Sequence, residues 1–175
     1  MAPSISPATL LTLLDQFPRR ILALTSAACV ALLVYGLYLQ HAVGLDPCPM
    51  CIVQRYALLL VAVVAGVTAA LRGRWLYTAG LISMGVAAGA GAFVAARQSF
   101  LQWYPPDVLT CGRDLYGMIE SFPLKRVIPM VFKGSGDCSK VDWTFLGLTI
   151  ANWSFLCFAA ILLLSVVLLW RRSTA

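Results

Sequence analysis

The stretch that decides the fold is Asp46-Pro47-Cys48-Pro49-Met50-Cys51-Ile52-Val53-Gln54-Arg55. A Cys-x-x-Cys pair stands there at the mouth of an apolar helix, with an arginine one turn further in. Two cysteines at this spacing either close a small disulfide or hold half of a metal site. Pro47 and Pro49 stop any helix that would run up to the pair, and the sequence turns steadily apolar from Cys51 onward. Cys51 is therefore expected near a helix N-terminus, where the positive end of the dipole favours a thiolate over a thiol. Arg55 follows at i+4, on the same helical face. Its charge favours a thiolate, or any anion that a reacting ligand develops. At about 1.5 Å per residue it lies roughly 6 Å deeper than Cys51, close enough to a headgroup region to be tolerated in lipid. The competing reading is a structural pair of cysteines.

The rest of the chain says what kind of helix this is. Of its 175 residues 61% are apolar, with thirteen basic and seven acidic side chains. That is too apolar for an ordinary soluble domain. The net charge of +6 comes from scattered residues, with no basic patch interleaved with aromatics, so nucleic acid is not an expected partner. A bilayer span needs about 20 apolar residues. Four runs qualify: Ile21 to Gln40, Ile52 to Leu71, Trp75 to Ala96 and Ala151 to Trp170. Arg55 is the only charge inside them. The chain has no further mass in which such helices could hide. The expected fold is an all-α integral membrane protein, one four-transmembrane-helix bundle with two exported cysteine-bearing loops. Residues 1–20 lead in, 41–51 and 97–150 form the exported loops, 72–74 make a tight turn, and 171–175 form a tail. Arg19 and Arg20, Arg72 and Arg74, and Arg171 and Arg172 all fall on one side, which the positive-inside rule makes cytoplasmic.

In the lead-in, Ser6 and Pro7 suit a helix start, and Leu10, Leu11, Leu14 and Phe17 recur at helical spacing. A surface helix and disorder are both open there. The first apolar run is preceded by arginines, as in a signal peptide, but it is long enough to be a retained span. Cys29 and Cys157 lie within spans and read as buried small apolar residues. His41 is the single histidine, and a zinc site built on it would lack the usual second ligand pair, so no metal is expected. The third span is rich in small residues, from Gly80 through Gly85 and Gly91, and is expected to be the central packing element. Trp75, Tyr77, Trp103, Tyr104, Trp143, Trp153 and Trp170 fall near span ends and read as interfacial anchors.

The second loop carries Cys111 and Cys138. Apolar residues from Leu115 to Phe132 lie between them, broken by Pro123 and Pro129 into pieces too short to span. A short membrane-surface helical segment is expected there. Gly134-Ser135-Gly136 gives Cys138 a mobile backbone. A disulfide closing this loop would contribute about 3–4 kcal/mol, so a purely structural staple is one reading. Four cysteines in two loops on an oxidising side also permit disulfide exchange between the loops.

The Cys-x-x-Cys pair followed by arginine at the start of the second of four helices resembles the bacterial DsbB family of disulfide bond formation proteins. So do Leu101-Gln102-Trp103-Tyr104-Pro105, Cys111, Val127-Ile128-Pro129, Ser135-Gly136-Asp137-Cys138 and Trp143-Thr144-Phe145-Leu146-Gly147-Leu148. The resemblance covers essentially the whole chain. It implies a thiol:quinone oxidoreductase of the bacterial inner membrane with both termini cytoplasmic. It further implies transfer of electrons from reduced DsbA, a periplasmic thioredoxin-fold oxidase, to ubiquinone or menaquinone. Carried over, the resemblance makes Cys111–Cys138 the disulfide that DsbA attacks, with the mixed disulfide on Cys111. Cys138 then exchanges with Cys48–Cys51, and the Cys51 thiolate meets the quinone beside Arg55. Some members carry a histidine near the quinone where this chain has Gln98, which can hydrogen-bond a carbonyl but takes up no proton near neutral pH. Two other readings compete: a membrane scaffold with structural exported disulfides, and a paralogous oxidase with a different dedicated dithiol partner.

Overall fold

The computed structural model describes residues 17–45, 47–104, 141 and 143–173. Four long helices carry them: α1 Pro18–Ala42, α2 Pro49–Ala70, α3 Arg74–Trp103 and α4 Ile150–Ser173. All four are long and apolar enough to cross a bilayer. A minimal antiparallel hairpin, β1 Thr144–Phe145 and β2 Leu148–Thr149, precedes α4. Its two-residue loop has positive φ at both Leu146 (53°) and Gly147 (77°), as a type I′ turn requires. The protein is an all-α, four-span membrane bundle, with this strand pair added among the described residues. The lead-in helix around Leu10 to Leu14, the surface segment between Leu115 and Phe132, Asp46, and both Cys111 and Cys138 lie outside the described residues.

The helices pack in chain order, α1 on α2, α2 on α3 and α3 on α4. Short connections force antiparallel neighbours. The start of α1, the α2–α3 turn and the end of α4 therefore gather six arginines at one end. There the Arg172 guanidinium lies 5.3 Å from the Tyr77 ring centre. The Cys-x-x-Cys pair sits at the opposite end. Outward-facing Leu24, Val86, Phe93 and Leu163 are each at least 65% exposed, which is costly in water and favourable in lipid.

α3 has 30 residues, about 45 Å at helical rise, longer than the roughly 30 Å hydrocarbon layer. It continues to Trp103, beyond the expected span end at Ala96, because polar Arg97, Gln98 and Gln102 lower the hydropathy without breaking the helix. Its small residues permit close approach. A Cβ on Gly80 would overlap Thr68 Oγ1 of α2, and one on Gly91 would lie 2.5 Å from the Phe158 ring of α4. Around these contacts Leu22, Val61, Ala65, Leu81, Met84 and Ala88 are almost fully buried. Few polar groups join the helices there: Ser26 Oγ of α1 donates to the Ala62 carbonyl of α2 at 2.7 Å.

Candidate functional site

The cysteine end is built from the turn that starts α2. Pro49 follows Cys48, which pushes Cys48 into extended backbone (φ −66°, ψ 160°), and proline suits the first helical position. Cys48 is thus the N-cap, and its Sγ accepts the Cys51 backbone N–H at 3.3 Å. This refines the sequence reading: the first-turn amide serves the Cys48 sulfur, while Cys51 sits one turn inside. The two sulfurs are 2.8 Å apart. Met50, fully buried between them in sequence, packs with Cys48, Val94 and Leu101 and seats the turn on α3.

α3 contributes a second layer. Gln98, 44 residues beyond Gln54, directs its Nε2 at both sulfurs, 3.3 Å from Cys48 and 3.2 Å from Cys51. Its Oε1 accepts from Gln54 Nε2 at 2.7 Å. Both glutamines are buried. Arg55 shares the Cys51 face, yet its guanidinium reaches across to α1. One nitrogen donates to Gln40 Oε1 at 2.5 Å and the other to the Gly36 carbonyl at 3.0 Å. All seven acidic residues of the chain lie outside the described residues, so these recorded acceptors are neutral and the arginine charge is not cancelled by them.

Between α1 and α4, which do not pack closely, opens a cavity of about 450 Å³. That is within the size range of small-molecule sites. Cys48, Cys51, Arg55 and Gln98 all line it, against a mainly apolar wall that includes Leu33, Leu39 and Phe158. The mouth is framed by aromatics. Trp143 stacks on Phe145 (ring centres 5.9 Å apart), and Trp153 Nε1 donates to the Phe145 carbonyl at 3.0 Å. Trp143 and Trp153 are therefore cavity residues as well as span-end aromatics, unlike Trp75, Trp103 and Trp170, which stay exposed. Thr149 fixes the entry of α4: its Oγ1 accepts the Asn152 N–H at 3.4 Å and donates to Gln102 Oε1 at 2.7 Å. Cys157 also lines the cavity, whereas Cys29 is buried as expected. His41 is exposed in the last turn of α1.

The structure brings together Cys48, Cys51, Arg55 and Gln98. Sequence reasoning missed Gln54, Gln40 and the carbonyl of Gly36. A signal existed for the first, since a polar side chain inside an apolar span asks for a partner.

The family model described as "Disulfide bond formation protein DsbB" matches residues 18–168. A protein named disulfide bond formation protein B from a Polaromonas species is 71% identical over 161 residues, covering 92% of this chain and 96% of that relative. One of the same name from Albidiferax ferrireducens is 64% identical, covering 91% of each chain. Another from Aromatoleum aromaticum is 50% identical, covering 83% of this chain and 89% of the relative.

Proposed function

The chain belongs to the DsbB family of disulfide bond formation proteins, and from that premise we propose that it is a protein dithiol:quinone oxidoreductase. It reoxidises a DsbA-like periplasmic thioredoxin-fold partner and delivers the electrons to a membrane quinone. The arginine end faces the cytoplasm of a bacterial inner membrane, and the cysteine end faces the periplasm. The observation that carries this reading is the convergence of Cys48, Cys51, Arg55 and Gln98 on one largely apolar cavity open between α1 and α4.

The cavity's chemistry suits a quinone: an apolar wall for a ring and tail, with donors confined to one end. A bound quinone supplies the acceptor for the two electrons and two protons that the partner dithiol gives up. The residues of the chain do the rest. Cys111–Cys138 takes the first attack, with the mixed disulfide on Cys111. Cys138, released as a thiolate, then attacks Cys48 of the oxidised Cys48–Cys51 disulfide, forming a Cys48–Cys138 bond and releasing Cys51. The Cys51 thiolate, once released, faces the cavity. Among the described residues, the Arg55 guanidinium engages two of its five N–H donors, so further donors remain for a carbonyl oxygen. Gln98 stands in the same wall and stabilises sulfur anions.

Quinone reduction by the purified protein in detergent, with reduced DsbA as donor, tests the relay. Wild type turns over, while Cys51→Ser and Cys111→Ser lose turnover. An oxidised, folded wild type that reduces neither quinone, or a Cys51→Ser variant that matches wild type, overturns the proposal in favour of structural disulfides or another dithiol donor.

A further inference from the structure

Gln54 lines the same cavity, its described hydrogen bond goes to Gln98, and the relay gives it no task. Yet this amide is 5% exposed in an apolar bundle, a costly placement unless its polar groups are used. Its Nε2 donates to Gln98 Oε1 at 2.7 Å. Gln98, 4% exposed, thereby has its own Nε2 nearer the cysteines, 3.3 Å from Cys48 and 3.2 Å from Cys51, while its Oε1 stands farther off and accepts from Cys51 Sγ at 3.7 Å. A primary amide has two ends of similar shape and opposite polarity. With Gln98 reversed, its carbonyl oxygen would face both sulfurs and repel a thiolate, and its NH2 would meet the NH2 of Gln54. With Gln54 presenting its NH2, as it does here, that orientation is disfavoured.

We propose that Gln54 is a positioning residue: it locks the Gln98 amide with its NH2 toward the cysteine pair, so that one neutral donor group serves a thiolate on either sulfur. The inference rests on the relay reading, in which Cys51 is released as a thiolate; the same NH2 reaches that sulfur and, at a similar distance, Cys48. A single NH2 carries two hydrogens, enough for both sulfurs. It therefore assists a thiolate without fixing which cysteine holds it. The amide does not titrate, so its help does not vary across the working pH range, in contrast to a histidine at the same place. Burial strengthens hydrogen bonds to the anion, because the local dielectric is low. Arg55 does not duplicate this role in the described contacts, since its recorded bonds go to α1.

The test uses the full-length protein, reduced in detergent, with iodoacetamide as the probe. Alkylation rates at fixed pH are followed separately at Cys48 and Cys51 by mass spectrometry, with Cys111 as internal control. Neither quinone nor partner is present, so loss of the relay reading would leave this result readable. Gln98→Met is expected to slow both cysteines about ten-fold or more, the size of a hydrogen bond to a charged group. Gln54→Met should slow both several-fold. In the Gln98→Met background, adding Gln54→Met should change nothing further, because Gln54 acts only through Gln98. Gln54→Glu should slow alkylation more than Gln54→Met, since the carboxylate draws the Gln98 NH2 to itself and turns the carbonyl to the sulfurs. Unchanged rates in Gln54→Met, or an equal slowing with and without Gln98, would overturn the proposal. Should the methionine variants not fold, Gln54→Glu with wild-type rates overturns it alone.

Discussion

The two ends of this bundle solve the same physical problem in opposite ways. Toward the arginine end, α2, α3 and α4 are sealed. Gly80 lies against Thr68, and Val61, Leu81 and Met84 are almost without exposure. Thr68 bonds back to its own helix at Val64 O, 2.6 Å away, and asks nothing of a neighbour. Toward the cysteine end, buried glutamines replace apolar side chains, an arginine bridges α1 and α2, and a cavity separates α1 from α4. In lipid, helices associate through close packing and interhelical hydrogen bonds, with no hydrophobic force between them. The arginine half relies mainly on the first device, with Ser26 donating to the Ala62 carbonyl between α1 and α2, and the cysteine half on the second. Closing space with small residues gives rigidity, and bridging space with polar side chains leaves room for a ligand.

Substitutions in the two halves should therefore fail differently. The largest expected effect is on folding. Gly80→Ala puts a methyl group onto Thr68 and should cost about 1–3 kcal/mol, as overpacking does. It should lower the thermal midpoint in detergent while the folded fraction keeps its quinone KM. Thr68→Ala in the same chain should restore much of the loss. If Gly80→Ala is as stable as wild type, the sealed half is looser than described.

Arg55→Lys should act in the other direction. Lysine keeps the charge but not the planar fork that reaches Gln40 and the Gly36 carbonyl together. Quinone KM should rise several-fold, with a smaller change in the thermal midpoint and none in the KM for the dithiol partner. Unchanged quinone kinetics with weakened partner binding would place Arg55 in the wrong role.

The sequence carries much of this comparison, for reasons that can be traced to particular residues. Apolar runs of about 20 residues mark the four spans, and the i+4 spacing of Cys51 and Arg55 places both on one face. Gly80 and Gly91 announce close contacts, although not with which neighbour. The Gln54–Gln98 bond joins residues on different helices, 44 positions apart, and no local periodicity reports such a pair. The direction of Arg55 toward α1 is equally non-local. Trp143 and Trp153 look like anchors because tryptophan near a span end commonly is one. Only the hairpin's turn at Leu146-Gly147 folds Phe145 back between them. Hydropathy also ends α3 early, since it counts Arg97 and Gln98 against a helix whose backbone bonds continue to Trp103.

The central claim is that the open half between α1 and α4 receives the quinone. Photolabelling tests it most directly, with a light-activated quinone analogue, competition by unlabelled quinone, and mass-spectrometric mapping. The account predicts competed labels on cavity residues of α1 and α4, such as Leu33, Tyr35 and Trp153. Labels confined to the arginine end, or spread over the lipid face and insensitive to competition, would contradict it.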